Sequence, residues 1–479
     1  MIRGLALLAL LPMLWIEGCG GAKPSAEVRW RFVGGTALEL QTNAPVLASF
    51  LQLTQSVAIR PLLISNTAAL WWRLASSQGT AVPQALASAR DMLPELLDGL
   101  SLGQTVIGKG GRREFAVAFP VAADRAAAWE KSWSTFFTLA RPDKGHPEVS
   151  YQQGWLVAVS DSDALDVRQT RKDLAVIPAE PGTALRIETA GPLPTATARF
   201  VVDSGAVKSE LKLQTKSTFP SPLPAWDIPD LIRFPFVKFT AARDLQPWFS
   251  QLPWLSHLPP GAVPTQAYLW CQPSNSPYSS FQTYVSARVS QPEAFLKSAS
   301  EELNSVLHPT NRSVALKFTI EGNTNNPGFA IKGFPYVTPR FYPEKQGSAD
   351  FVMAGMFVPS ISTNSIPTRI LDAIQKTNLV YYDWEVTPTT TGHWNALTQV
   401  YGMAHNKLPR ARPGGNWLTT STTGTFTSLT EGIVTGPHEI TFHRSSPIGI
   451  TSPEMAFLAT WLDWESLPAR SWGKSNPNP

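Results

Sequence analysis

Residues 114–137, EFAVAFPVAADRAAAWEKSWSTFF, change their hydrophobic period part-way. Phe115, Val117, Phe119 and Val121 alternate with polar or small residues, which predicts a strand with one apolar face. After a short polar break, Trp129, Trp133, Phe136 and Phe137 fall on one side of a 3.6-residue period, which predicts an amphipathic helix. The same order recurs twice. Thr283, Val285, Ala287 and Val289 precede a helical face of Phe295, Ala299, Leu303 and Val306, and Val380, Tyr382, Trp384 and Val386 precede Trp394, Leu397, Tyr401 and Ala404. Aligning the three stretches puts Asp383 and Glu385 level with Ser286 and Arg288, on the presumed solvent side of a half-buried strand. The expected fold is therefore α+β, with mainly antiparallel sheet packed against amphipathic helices in recurring strand–helix units.

Between these units the pattern predicts a mainly helical region over 44–100 and strands at 155–159, 185–189 and 196–202. The last turns through Asp203-Ser204-Gly205 into a hairpin. Further strands are expected at 236–240, 267–271, 314–320, 329–332, 351–357 and 438–442, and helices at 367–376 and from Thr451. Thr451 and Glu454 have capping-box spacing, with Pro453 in the first turn. Residues 409–415 read as a loop. The stretch 217–232 opens with STFPSPLPAWDIP, whose four prolines discourage regular structure. It divides a first α+β domain over 28–216 from a second over 233–470, with a tail at 471–479.

The size of the chain suits this division, since 479 residues exceed what one hydrophobic core serves. Charged residues make up only 16% of the chain, which excludes global disorder. The net charge of +4 comes without a lysine–arginine run, so nucleic acid is not an expected partner.

The first nineteen residues, MIRGLALLALLPMLWIEGC, carry a basic residue at Arg3 and an apolar stretch from Leu5 to Ile16 that is too short to span a bilayer. They end in Ile16-Glu17-Gly18-Cys19, with an aliphatic residue three before the cysteine and a small one just before it. This resembles the lipobox of bacterial lipoproteins, and the resemblance covers only the signal peptide, residues 1–19. It implies cleavage before Cys19, lipidation of Cys19 by two or three acyl chains, and a durable membrane anchor joined to the first domain by a spacer, residues 20–27. Gly20, where inner-membrane lipoproteins commonly carry aspartate, implies outer-membrane placement, facing the periplasm or the cell surface. Cys271 is then the only remaining thiol, so no disulfide framework is available, and its apolar surroundings read as core.

Several stretches approach motifs for chemistry and fall short. Gly103–Gly110, GQTVIGKG, has phosphate-loop glycines but lacks the final hydroxyl and precedes a strand, so it reads as a turn. Asp161, Asp163 and Asp166 lack the glycine and distal glutamate of a calcium loop and read as a helix start. Neither Ser209-x-x-Lys212, in a strand, nor Ser471-x-x-Lys474, in the tail, can hold a nucleophile beside its base. No HExxH occurs. No catalytic, cofactor or metal residue is assigned. The expectation is an exported, lipid-anchored cell-envelope protein that binds a protein, lipid or glycan partner or serves structurally. The alternatives are an exported hydrolase with a motif-less site, or polysaccharide binding through Trp226, Trp248, Trp254 and Trp417, which lie near prolines or glycines.

Overall fold

The computed structural model describes residues 28–31, 45–75, 82–98, 104–107, 116–140, 148–152, 154–159, 183–188, 196–214, 218–244, 258–273, 282–307, 319–322, 328–333, 338–356, 364–404, 412–421 and 425–463. The chain divides into two compact units. One comprises residues 1–216 with 444–450 and 457–479, the other 217–443 with 451–456. The class is α+β, and the strand pairings are antiparallel.

In the first unit, β1 (Val28–Arg31) is followed by helices α1 (Pro45–Gln52), α2 (Thr54–Ala58), α3 (Arg60–Ala75) and α4 (Pro83–Asp98). Strands β2 (Gln104–Ile107) and β3 (Ala116–Pro120) lead to helix α5 (Ala126–Ala140) and the hairpin β4 (Glu148–Gln152) and β5 (Trp155–Val159). Their sheet order is β1-β2-β3-β5-β4. Trp129, Trp133, Phe136 and Phe137 of α5 are all buried, against Trp72 of α3, Met92 and Leu93 of α4 and Leu156 of β5. Each such side chain contributes roughly 1.5–3 kcal/mol of burial, enough to hold a short helix on its sheet. Gln104–Ile107 is a strand, so the phosphate-loop lookalike contains sheet where a turn is expected. A meander of β6 (Thr183–Glu188), β7 (Ala196–Asp203) and β8 (Ala206–Gln214) follows. The β7–β8 turn is made by Ser204 and Gly205 at φ of 52° and 81°, the left-handed pair that a two-residue hairpin requires.

In the second unit, β9 (Lys238–Arg243), β10 (Gln266–Cys271) and β11 (Thr283–Arg288) precede helix α6 (Pro292–Leu307). Strands β12 (Thr319–Gly322), β13 (Phe329–Lys332), β14 (Arg340–Gln346) and β15 (Ala349–Gly355) follow. The order β9-β10-β11-β15-β14 repeats that of β1-β2-β3-β5-β4, with a helix after the third strand in both. Next come α7 (Thr368–Ile374), β16 (Leu379–Val386), α8 (Thr387–Ala404), α9 (Pro413–Thr420) and β17 (Thr427–Gly436), and then β18 (Glu439–Ser446) and α10 (Ser452–Asp463), whose residues are divided between the two units. Here β16 pairs with β9, and β17 and β18 extend the sheet beyond it. The predicted loop at 409–415 runs into α9, whose Trp417 is buried, so that tryptophan is core and not an exposed platform.

Residues 218–236 are irregular, as their prolines dictate, but they form a strap lying on the sheet. Gln266 accepts from the Asp227 amide at 2.8 Å and donates to the Ala225 carbonyl at 2.7 Å. Gln346 does the same for Asp230 and Ile228, at 2.7 and 3.2 Å. Arg243 donates to the carbonyls of Pro224 and Leu379 and lies 4.7 Å from the Trp226 ring centroid. Under the strap, Phe236, Phe239, Tyr268, Trp270, Tyr284 and Tyr382 form the main aromatic core of this unit.

Candidate functional site

The sheet registers decide which side chains share a face. Trp384, Phe239, Trp270 and Tyr284 lie in one row across β16, β9, β10 and β11, on the side covered by the strap. The next row, on the opposite face, runs Glu385, Lys238, Cys271, Thr283, and the one beyond it on that same face runs Asp383, Thr240, Leu269, Val285. Asp383 and Glu385 therefore share a face with Thr283, Val285 and Ala287. Aligning them with Ser286 and Arg288 places the strand one residue out of phase, and a one-residue slip exchanges the two faces.

At the charged positions that face is closed to solvent. Lys238, Asp383 and Glu385 are only 4%, 5% and 0% exposed, which corrects the expectation that the carboxylates point outward. The Lys238 ammonium donates to Asp383 Oδ1 at 2.8 Å and to Glu385 Oε2 at 2.9 Å. Thr240 Oγ1 also donates to Asp383 Oδ1. Glu385 receives two further bonds from the start of α10, from the Ser452 amide to Oε1 at 2.7 Å and from Ser452 Oγ to Oε2 at 2.6 Å. The carboxylate thus sits where unsatisfied helix amides and the helix dipole favour negative charge. Glu454 bonds the Thr451 amide at 2.8 Å, as capping-box spacing predicts, and so fixes the turn that presents Ser452. On the other side of Glu385, Ser428 lies opposite it on β17 and bonds Thr387 Oγ1 at 2.7 Å.

Burial by itself would push the Lys238 pKa down, but Asp383 and Glu385 outweigh it and hold the amine above the ordinary lysine range. A lysine kept cationic in this way is an electrostatic pin; it has no proton-accepting lone pair for base or Schiff-base chemistry. Glu385 accepts hydrogen bonds at both oxygens and is 0% exposed, so a substrate in solvent does not reach it. Breaking such a buried cluster leaves charge uncompensated.

Cys271 is buried beside Lys238, with its thiol pKa pushed up to about 11 by burial despite the 3.3 Å contact with Thr283 Oγ1. It is a protonated packing residue. Ser209 and Lys212 lie in β8, where residues three apart face opposite ways. Cys19, the Asp161–Asp166 stretch, Trp248, Trp254, Ser471 and Lys474 fall outside the described residues. Trp226 lies half-buried in the strap beside Tyr268, 6.1 Å between ring centroids. Among the described residues, no group of three or more His, Cys, Asp or Glu side chains is placed to hold a metal ion.

The cluster's lysine was absent from the sequence-based candidates. Its signal is a single charged residue inside the aromatic strand Phe236-Val237-Lys238-Phe239, matched by two carboxylates two apart in Asp383-Trp384-Glu385. One strand carries a lone cation and another carries anions on one face, and adjacent pairing satisfies both. No family model matches the chain, and no curated protein or solved structure does so either.

Proposed function

We propose that the chain is an exported lipoprotein, anchored in the cell envelope through Cys19, whose folded part has a non-catalytic binding or structural role. The observation that carries the anchor is the Ile16-Glu17-Gly18-Cys19 ending of a short apolar segment behind Arg3. The non-catalytic part is supported by the cluster at Lys238, Asp383 and Glu385, in which the lysine is held cationic between the two carboxylates and Glu385 is also bonded by Ser452. No described helix is long and apolar enough to cross a membrane, and an acylated cysteine does not need one. Fractionation of cells expressing the wild type and Cys19→Ala tests the anchor. The wild type is expected in the membrane fraction and the variant in the soluble one. Membrane association that survives the substitution would overturn the reading.

A further inference from the structure

One row on the face that carries the charged cluster is open. It runs Asp383, Thr240, Leu269, Val285, Ala354 across β16, β9, β10, β11 and β15. At about 4.8 Å per strand these five positions extend about 19 Å. Val285, on an interior strand of the sheet, is 38% exposed, and Thr240, Leu269 and Ala354 are half-buried. The rows on either side are largely closed, by Lys238 and Cys271 on one side and by Ala242, Ala287 and Val352 on the other. Solvent therefore reaches the middle of the sheet along a trough one residue row wide.

The trough is chemically polarised. Leu269, Val285 and Ala354 make an apolar floor at one end, and Asp383 with Thr240 closes the other. Two carboxylates share the single Lys238 ammonium there, so this end carries one uncompensated negative charge. Glu385 is further compensated by the Ser452 amide and hydroxyl, whereas both bonds to Asp383 go to Oδ1. Among the described residues no hydrogen bond reaches Asp383 Oδ2. The deficit falls on the residue that borders the open row.

We propose that this trough binds an amphiphile with a primary ammonium head, its alkyl chain lying over Leu269, Val285 and Ala354 and its head at Asp383. Pairing an ammonium with Asp383 completes the charge balance, while the chain covers apolar surface that would otherwise face water. The inference deepens the binding role proposed above and rests on it.

The test uses the full chain carrying Cys19→Ala, purified without detergent, with n-octylammonium as the probe and n-octanol and octanoate as controls. Saturable thermal stabilisation by octylammonium is expected, about tenfold weaker affinity for octanol, and no binding of octanoate. Val285→Arg, at an exposed position, fills the row and brings a cation, and is expected to abolish octylammonium binding with the melting temperature unchanged. Asp383→Asn is expected to remove the preference over octanol; if that variant is unfolded, the triple variant Lys238→Met, Asp383→Asn, Glu385→Leu, which removes the charged cluster together, supplies the same readout. No octylammonium binding, equal binding of octanol, or full binding by Val285→Arg each overturns the proposal. Release of Cys19→Ala into the soluble fraction would leave the lipoprotein reading standing in any of those cases.

Discussion

Helices α5 and α8 each follow from a strand of the same predicted pattern, yet the side chains buried along α5 and those buried at the start of α8 are of opposite kinds. Four aromatic side chains hold α5 against its neighbours, with Trp133 and Phe137 edge-to-face at 5.2 Å and Trp72 against Phe136 at 6.2 Å. At the start of α8, Thr387, Thr390, Thr391 and His393 are buried, and the strand that feeds it carries the charged cluster. Thr390 and Thr391 turn their hydroxyls back onto the carbonyls of Val386 and Thr387, at 3.0 and 2.6 Å. Burial of aromatic surface is non-directional and degrades by increments. A buried network of charges and hydroxyls is directional, and it fails when one member is removed.

The widest separation of the two regimes comes from Lys238→Met, which strands Asp383 and Glu385 without a counter-charge. It is expected to cost about 3–5 kcal/mol in urea unfolding, whereas adding Asp383→Asn and Glu385→Leu to it is expected to recover most of that loss. A triple variant as unstable as the single one would break the comparison. Next in size is the acid limb of stability. Burial pushes the His393 pKa down from 6.5 to about 4, so the fold holds this imidazole neutral. The unfolded chain binds its proton first as pH falls, so the contribution is full above pH 6.5 and is lost between 6.5 and about 4. The loss is of order 3 kcal/mol, and His393→Leu should flatten the melting temperature across that window. Smallest is Phe136→Leu in α5, expected to cost about 1–2 kcal/mol with no dependence on pH, because the remaining aromatics close over the deficit.

The same contrast explains what could be read from the sequence. The inward face of α5 was legible residue by residue, because Trp129, Trp133, Phe136 and Phe137 mark a period that solvent cannot tolerate. The α+β class and the hairpin at Ser204-Gly205 were legible for similar reasons of period and backbone sterics. β16 was legible as a strand, but the environment of its charged face was not, because the strand is buried on both sides. Tyr382 and Trp384 face the strap and Asp383 and Glu385 face Lys238, so alternation of apolar and charged residues no longer marked inside and outside. Only pairing with β9, from a segment more than a hundred residues away, reveals why two acids tolerate that position. β14 was missed because Pro343 interrupts its pattern, and proline in a strand ordinarily argues against one.

The strap over the aromatic core has a consequence of a different kind. Gln266 and Gln346 each grip it through one backbone amide and one backbone carbonyl, around residues 226 and 229, as a neighbouring strand would. The route of the strap is thus written into two carboxamides elsewhere in the chain and only partly into its own residues. A position such as Ala225, which is exposed and lends its carbonyl alone to those grips, is free to drift in identity over generations while the path it follows stays where it is.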